Sequence, residues 1–240
     1  MNFSKLSVLV PAYNEEATIV RILDTLQTVQ LPEGIRMELV VVNDCSTDRT
    51  GQIVEQYIAQ HPDASILYEK HAKNAGKGAA LHTAIQLATG DLIVVQDADL
   101  EYDPHEFSIL LKPFLAGQAD VVYGSRFMGG NPHRILFFWH SIGNRFLTFF
   151  SNMFSNLNLT DMETCYKMVR ADILKSLVLK EKRFGFEPEV TQKLARIKGI
   201  RIYEVGISYY GRTYEEGKKI GWKDGVRAIW CILKYGFFRM

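Results

Sequence analysis

Cysteine is scarce: Cys45, Cys165 and Cys231 are few, odd in number and widely spaced. That excludes a disulfide framework and any zinc-binding cysteine pattern, and it points to a reducing compartment. Long apolar runs are also missing, since none reaches the roughly 18 residues that a membrane span requires. Met1-Asn2-Phe3-Ser4-Lys5 leads directly into a strand pattern, so no signal peptide is expected. Net charge is nearly absent at +1, which leaves no bulk field to attract nucleic acid. No Gly-x-Gly-x-x-Gly follows the first strand, which argues against a dinucleotide-binding dehydrogenase. The Gly-rich stretch Asn74-Ala75-Gly76-Lys77-Gly78 is not a Walker motif, because Gly78 stands where Ser or Thr is required. Nor does a low-complexity linker divide the chain, so one compact unit over residues 1–240 is expected.

What is present is an apolar, strand-rich first half whose strands end in acids. Leu92 to Val95 reads as a strand buried on both faces of a parallel sheet, and it runs into Gln96-Asp97-Ala98-Asp99-Leu100-Glu101. In extended conformation Asp97 and Asp99 leave the same face. Carboxylates at the carboxyl end of a buried strand lie where open α/β sheets bind ligands. Hard oxygen donors without nearby Cys or His favour Mg²⁺ or Mn²⁺ shared with phosphates. Alone, Asp-x-Asp is a weak motif; a solvated loop after a strand would look the same.

Repeated strand–helix units surround it. Strands are expected at Ser7–Ala12, Met37–Val42, Ala64–Tyr68 and Asp120–Tyr123, giving a mostly parallel sheet flanked by helices. Asn14 is a fair N-cap for the first helix, with Glu15 and Glu16 in its first turn, and Ser46 or Thr47 could cap the second. The Gly-rich turn at 74–78 opens a helix whose backbone N–H groups can hold an anion. In the second half, residues 134–159 are rich in large apolar residues, Phe137, Phe138 and Trp139 among them, and Ile142, Phe146, Phe149, Phe150, Met153 and Leu157 share a helical face. Two readings stand for that helix: an amphipathic core helix, or one lying in a membrane interface. Residues 161–170 and 200–210 look like strands, and a last helix covers 221–238. From Gly211 onward seven bases face three acids, which suits an anionic ligand or a membrane surface, with a solvated helix face as the default reading. His133 beside Arg134 could help bind phosphate. His61, His71, His82, His105 and His140 are expected at surface or capping positions.

Pro11-Ala12-Tyr13-Asn14-Glu15-Glu16, Asn43-Asp44-Cys45-Ser46-Thr47-Asp48, Asp97-Ala98-Asp99 and Gly124-Ser125-Arg126, in this order and spacing, resemble the inverting glycosyltransferases of family two, with a GT-A fold. Residues 161–170, Phe186-Glu187-Pro188-Glu189 and the stretch 209–219 resemble the polyprenyl-phosphate sugar synthases, the dolichyl-phosphate mannose synthase group. The resemblance implies a nucleotide-sugar-binding half at 1–126 and an acceptor-binding, membrane-interface half at 127–240. Pro11, Tyr13 and Glu15 would frame the base and ribose of a UDP- or GDP-sugar, and Asp44 would contact base or ribose. Lys77 and Ala98 would touch the nucleotide-sugar. Asp97 and Asp99 would hold Mg²⁺ or Mn²⁺ on the diphosphate, with Glu101 beside the metal. Arg126, Arg134 and His133 would face the phosphate of a polyprenyl or dolichyl phosphate acceptor, and Arg212 and Lys218 would close over the diphosphate. Asp161 is the candidate general base, if one exists. The mannose synthases read Thr-Ser-Gly-Phe-Arg where this chain has Glu163-Thr164-Cys165-Tyr166-Lys167, so glucose or another hexose is as open as mannose. Peripheral attachment at the cytoplasmic membrane face would come from the amphipathic helices or from a membrane-protein partner. A transferase acting on a saccharide or protein, and a catalytically silent nucleotide-sugar-binding subunit, are the alternatives.

Overall fold

The first strand, β1 (Lys5–Ala12), sits at the centre of the sheet because it can be buried on both sides: Leu6 to Val10 are all fully buried. It pairs in parallel with β2 (Arg36–Asn43) on one side and with β4 (Leu92–Val95) on the other. The computed structural model describes residues 3–129, 132, 134–135, 137–212 and 221–238. Beyond β2 lies β3 (Ile66–Lys70), also parallel. Beyond β4 comes β6 (Lys167–Arg170), antiparallel to both β4 and β5 (Val121–Ser125). A last strand, β7 (Ile202–Gly206), runs parallel to β5, and the full order is β3-β2-β1-β4-β6-β5-β7. Chain order reverses between β1 and β4, so the crevice outside their carboxyl ends is the switch point where such sheets bind ligands.

Helices cover the sheet. α1 (Ile19–Thr28) buries Ile19, Ile22, Leu23 and Leu26, as their spacing predicts. α2 (Thr50–Gln60) follows β2, α3 (Lys77–Leu87) precedes β4, and a 3-10 turn at Pro104–Glu106 opens α4 (Phe107–Leu115). After α5 (Phe138–Ser155) and β6 come α6 (Ala171–Ser176), α7 (Phe186–Leu194) and α8 (Trp222–Ile232), which continues into a π-helical stretch, Leu233–Phe237.

Several local expectations are corrected. Asn14 does not cap α1. It takes φ 53° and its amide oxygen accepts the Thr47 N–H at 2.8 Å, so it ties the first strand-end loop to the second. The helix starts five residues later, leaving Glu15 and Glu16 before its first turn. At α2 neither Ser46 nor Thr47 caps; the Asp48 carboxylate accepts the N–H and hydroxyl of Thr50. β3 begins two residues later than expected, because Ala64 closes a turn onto the His61 carbonyl before Ile66 can pair with Leu39. Only the last four residues of 161–170 form a strand. The six before it fold across the sheet's mouth, held by side-chain contacts that spacing does not reveal.

The α5 helix departs from the first of its two readings. Among its 18 residues Thr148 and Ser151 are buried, while Phe138 (67% exposed), Trp139 (78%) and Phe149 (63%) face outward. It is not a core helix. It packs against α7 and α8, and exposed Val226, Trp230 and Phe237 extend the apolar surface. Among the described residues, no helix is long and apolar enough to cross a membrane. The α8 end is fastened by Glu181, whose buried carboxylate accepts from Arg227, Lys234 and the Tyr235 hydroxyl.

Candidate active site

The strand ends deliver their loops into one cleft of about 760 Å³. Pro11, Tyr13 and Glu15 come from the end of β1, Asp44 from β2, and Asp97, Ala98, Asp99 and Glu101 from β4. Lys77 opens α3, and Arg126 follows β5. Arg212 reaches in from the segment after β7.

The Asp44 carboxylate is buried and holds the Gly-rich turn in shape. It accepts the N–H of Ala75 at 2.9 Å, the N–H of Gly76 at 2.7 Å and a contact from His71 Nδ1 at 2.7 Å. His71 is therefore no free surface residue, since its other nitrogen meets Thr83 Oγ1 at 2.9 Å. Gly76 takes φ +98°, and a Cβ there would lie 2.5 Å from the Lys182 carbonyl oxygen, so only glycine fits. This turn aims Lys77 at the acids: its ammonium lies 2.9 Å from Asp97 and 3.4 Å from Glu187. Burial works against the charge on Lys77, but Asp97 and Glu187 outweigh it and push the pKa up.

Asp99 is crowded. Burial, together with Asp97 and Glu101, pushes its carboxyl up to about 7, although Arg212 Nη2 donates to it at 3.1 Å. Glu101, expected beside the metal, is engaged elsewhere: it accepts the Tyr209 hydroxyl at 2.6 Å and the Arg212 N–H at 2.8 Å. Among the described residues, no three His, Cys, Asp or Glu side chains converge as metal ligands. Asp97 and Asp99 are thus a two-carboxylate set, and further oxygens would have to come from the ligand. The charge balance fits a divalent cation. Among the described residues, eight acidic side chains (Glu15, Asp44, Asp97, Asp99, Glu101, Glu163, Glu187, Asp224) line the cleft against four cations (Lys77, Arg126, Arg183, Arg212). An anionic diphosphate would be repelled from such a surface unless a cation accompanied it. Arg212 also fits an anion, because its buried Nε has no hydrogen-bond partner.

Arg126 and Asp161 correct a second expectation. The Asp161 carboxylate is fully buried and grips the guanidinium bidentately, Nε to Oδ2 at 2.7 Å and Nη2 to Oδ1 at 2.8 Å. A carboxylate bound on both oxygens and closed to solvent is not a general base; it is the anchor that orients Arg126. The Tyr209 ring stacks on the same guanidinium, 5.2 Å from its carbon, so Tyr209 supports the cleft wall. Arg134 is exposed and does not line the cleft; its Nη1 donates to the Gly211 carbonyl at 3.0 Å. His133 and Lys218, both expected to bind phosphate, lie outside the described residues.

Sequence reasoning missed the acids of the second half. Glu163 and Glu187 line the cleft beside Cys165, and Lys167 lies buried beneath them with its ammonium on the Thr164 carbonyl. Burial and the neighbouring Glu187 push Glu163 up to about 8. The Phe186-Glu187-Pro188-Glu189 motif was visible, and an acid in the first turn of a helix suits its dipole. That signal does not say which acid turns toward a ligand. Arg183, also in the cleft wall, had no local signal at all.

Comparison with known proteins agrees with this geometry. The model of the family described as Glycosyl transferase family 2 matches residues 7–178. The chain is similar to an undecaprenyl-phosphate mannosyltransferase of Micrococcus luteus, with 28% identity over 238 residues, 95% of this chain and 92% of the relative. A dolichyl-phosphate beta-glucosyltransferase of Trichomonas vaginalis is 28% identical over 253 residues, 97% of this chain and 73% of the relative. Among solved structures, glucosyl-3-phosphoglycerate synthase from Mycobacterium tuberculosis in complex with Mn²⁺ and UDP-glucose is similar at a TM-score of 0.69. That likeness, at 21% identity over 97% of this chain and 79% of the other, concerns the fold, which is GT-A.

Proposed function

The chain belongs to glycosyl transferase family 2 and is a hexosyltransferase, and from that premise we propose that it moves a hexose from a UDP- or GDP-sugar to a polyprenyl or dolichyl phosphate, with inversion. One observation carries the lipid acceptor. The outer wall of the cleft is built from α5 and α8, through Trp139, His140, Leu147, Asp224 and Ala228, and the same two helices present exposed aromatic rings outward. A lipid chain lying along that surface would bring its phosphate to the cleft mouth. On this reading the protein works peripherally at the cytoplasmic membrane face, alone or beside a membrane-protein partner.

Pro11, Tyr13 and Asp44 would flank the nucleoside, and Asp97 and Asp99 would hold Mg²⁺ or Mn²⁺. That ion, when bound, neutralises charge on the departing diphosphate. Lys77 and Arg212, both on carboxylates of this cleft, would add cationic contacts to the same oxygens. An oxygen of the acceptor phosphate attacks the anomeric carbon from the side opposite the diphosphate. The new C–O bond forms as the old one breaks, and the nucleoside diphosphate leaves with the electron pair. A phosphomonoester has a second pKa of about 6, so at neutral pH the nucleophile is already ionised and needs no base. Asp161 is therefore free to serve Arg126, which would align the acceptor phosphate.

The test is a panel of labelled UDP- and GDP-hexoses incubated with undecaprenyl or dolichyl phosphate in vesicles. Label that partitions into organic solvent and is released by mild acid supports the reading. Label appearing only in water-soluble products would assign a saccharide or protein acceptor. Binding of donor without turnover on any acceptor would assign a silent nucleotide-sugar-binding subunit.

A further inference from the structure

One acid of the cleft is unused by the proposed reaction. Glu163 lines it, yet its Oε1 is buried without a hydrogen-bond partner. A buried carboxyl oxygen left without a partner costs stability, so such an atom calls for a donor or acceptor that the folded chain does not supply. Beside it Glu187 lines the same cleft, 3.4 Å from the Lys77 ammonium, which itself lies 2.9 Å from Asp97. Asp97, Lys77 and Glu187 are thus joined by these contacts, and Glu163 shares the cleft with them close enough to feel the Glu187 charge.

We propose that Glu163, with Glu187 beside it, hydrogen-bonds a ring hydroxyl of the donor's hexose and so helps decide which sugar is transferred. The inference rests on the nucleotide-sugar reading of the cleft. The ligand class it names is a neutral hexose with an unsubstituted hydroxyl at the edge facing these two acids. A hexuronate would bring a further carboxylate beside Glu187 and is disfavoured by like-charge repulsion from it. Burial and Glu187 hold the Glu163 carboxyl protonated near neutral pH, so it can donate to a sugar oxygen as well as accept from a hydroxyl. Lys167 beneath, on the Thr164 carbonyl, supports this arrangement without reaching the sugar.

Calorimetric titration of the full chain with Mn²⁺ tests it, using the preferred UDP- or GDP-hexose, its monodeoxy analogues, the matching hexuronate and the sugar-free nucleoside diphosphate. In the wild type, one deoxy analogue is expected to bind about tenfold more weakly than the parent sugar. In Glu163→Ala that analogue and the parent should bind equally, whereas Glu163→Gln should keep most of the difference. The sugar-free diphosphate should bind all three proteins alike, which also shows that the variants are folded. A deoxy pattern unchanged in Glu163→Ala overturns the proposal, as does a loss of diphosphate binding equal to the loss of sugar binding. If the wild-type chain binds neither nucleoside diphosphate, the donor reading itself falls and this inference with it.

Discussion

At the scale of single residues, the cleft divides into side chains held for chemistry and side chains held for position. If Asp99 holds the proposed metal, Asp99→Asn should cut turnover by at least about a hundredfold while leaving the fold intact, because it replaces a carboxylate oxygen by an amide and removes a crowding charge together. Initial rates with Mn²⁺ and a circular-dichroism melt check both halves of that statement. Asp161→Ala should behave in the opposite way. It strands the buried Arg126 guanidinium and should cost about 3–5 kcal/mol, read as a lowered urea midpoint, with activity lost as a consequence. A base role would instead predict lost turnover at unchanged stability. That Asp97, Asp99 and Arg126 would share one cleft was legible because each follows closely on an apolar strand, and strand ends fix position. Asp161 was misread because its partner lies 35 residues away, and residue type does not say whether a carboxylate is already taken. Glu101 was misread for the same reason, since its ligands are Tyr209 and the Arg212 backbone.

Elements whose two faces meet the same surroundings were the easiest to read. β4 is buried throughout, and its expected range matches the observed one residue for residue. α5 was ambiguous because periodicity reports that a helix has an apolar face, not what covers it. Its neighbours α7 and α8 take the side bearing Thr148 and Ser151, and the rings are left outside. Phe149→Ser combined with Met153→Ser, both exposed and remote from the cleft lining, should change stability by no more than about 0.5 kcal/mol. The same pair should lower co-sedimentation with anionic vesicles by about tenfold, since burying a large apolar side chain contributes about 1.5–3 kcal/mol. Transfer to a short-chain, water-soluble acceptor phosphate should survive. Equal vesicle binding by the double variant would remove α5 from the membrane-facing role.

For the whole molecule, acid is the informative perturbation. Glu38 is buried between β1, β2 and the turn before β4; burial raises its pKa, but hydrogen bonds from Lys5, Thr89 and Ser7 prevail and hold it at about 2. Arg201 and Arg170 hold Asp120 at about 2, and Arg227, Tyr235 and Lys234 overcome burial to hold Glu181 at about 2. Each folded value lies below the unfolded one, so each contribution is present above about pH 4.5 and is lost as pH falls toward 2. For Glu38 alone the loss is about 3 kcal/mol, and urea midpoints measured from pH 6 to pH 2.5 should fall accordingly. The order of the sheet has a further consequence, for synthesis. β5 pairs only with β6 and β7, and β6 fills the place beside β4. A nascent chain that has emerged through residue 126 already carries the acids at the ends of β1, β2 and β4 that line the cleft, yet β4 shows an open edge and β5 has no neighbour. Such an edge invites pairing with other chains until residues 167–170 arrive. The strands that open the cleft are thus made first and flanked last.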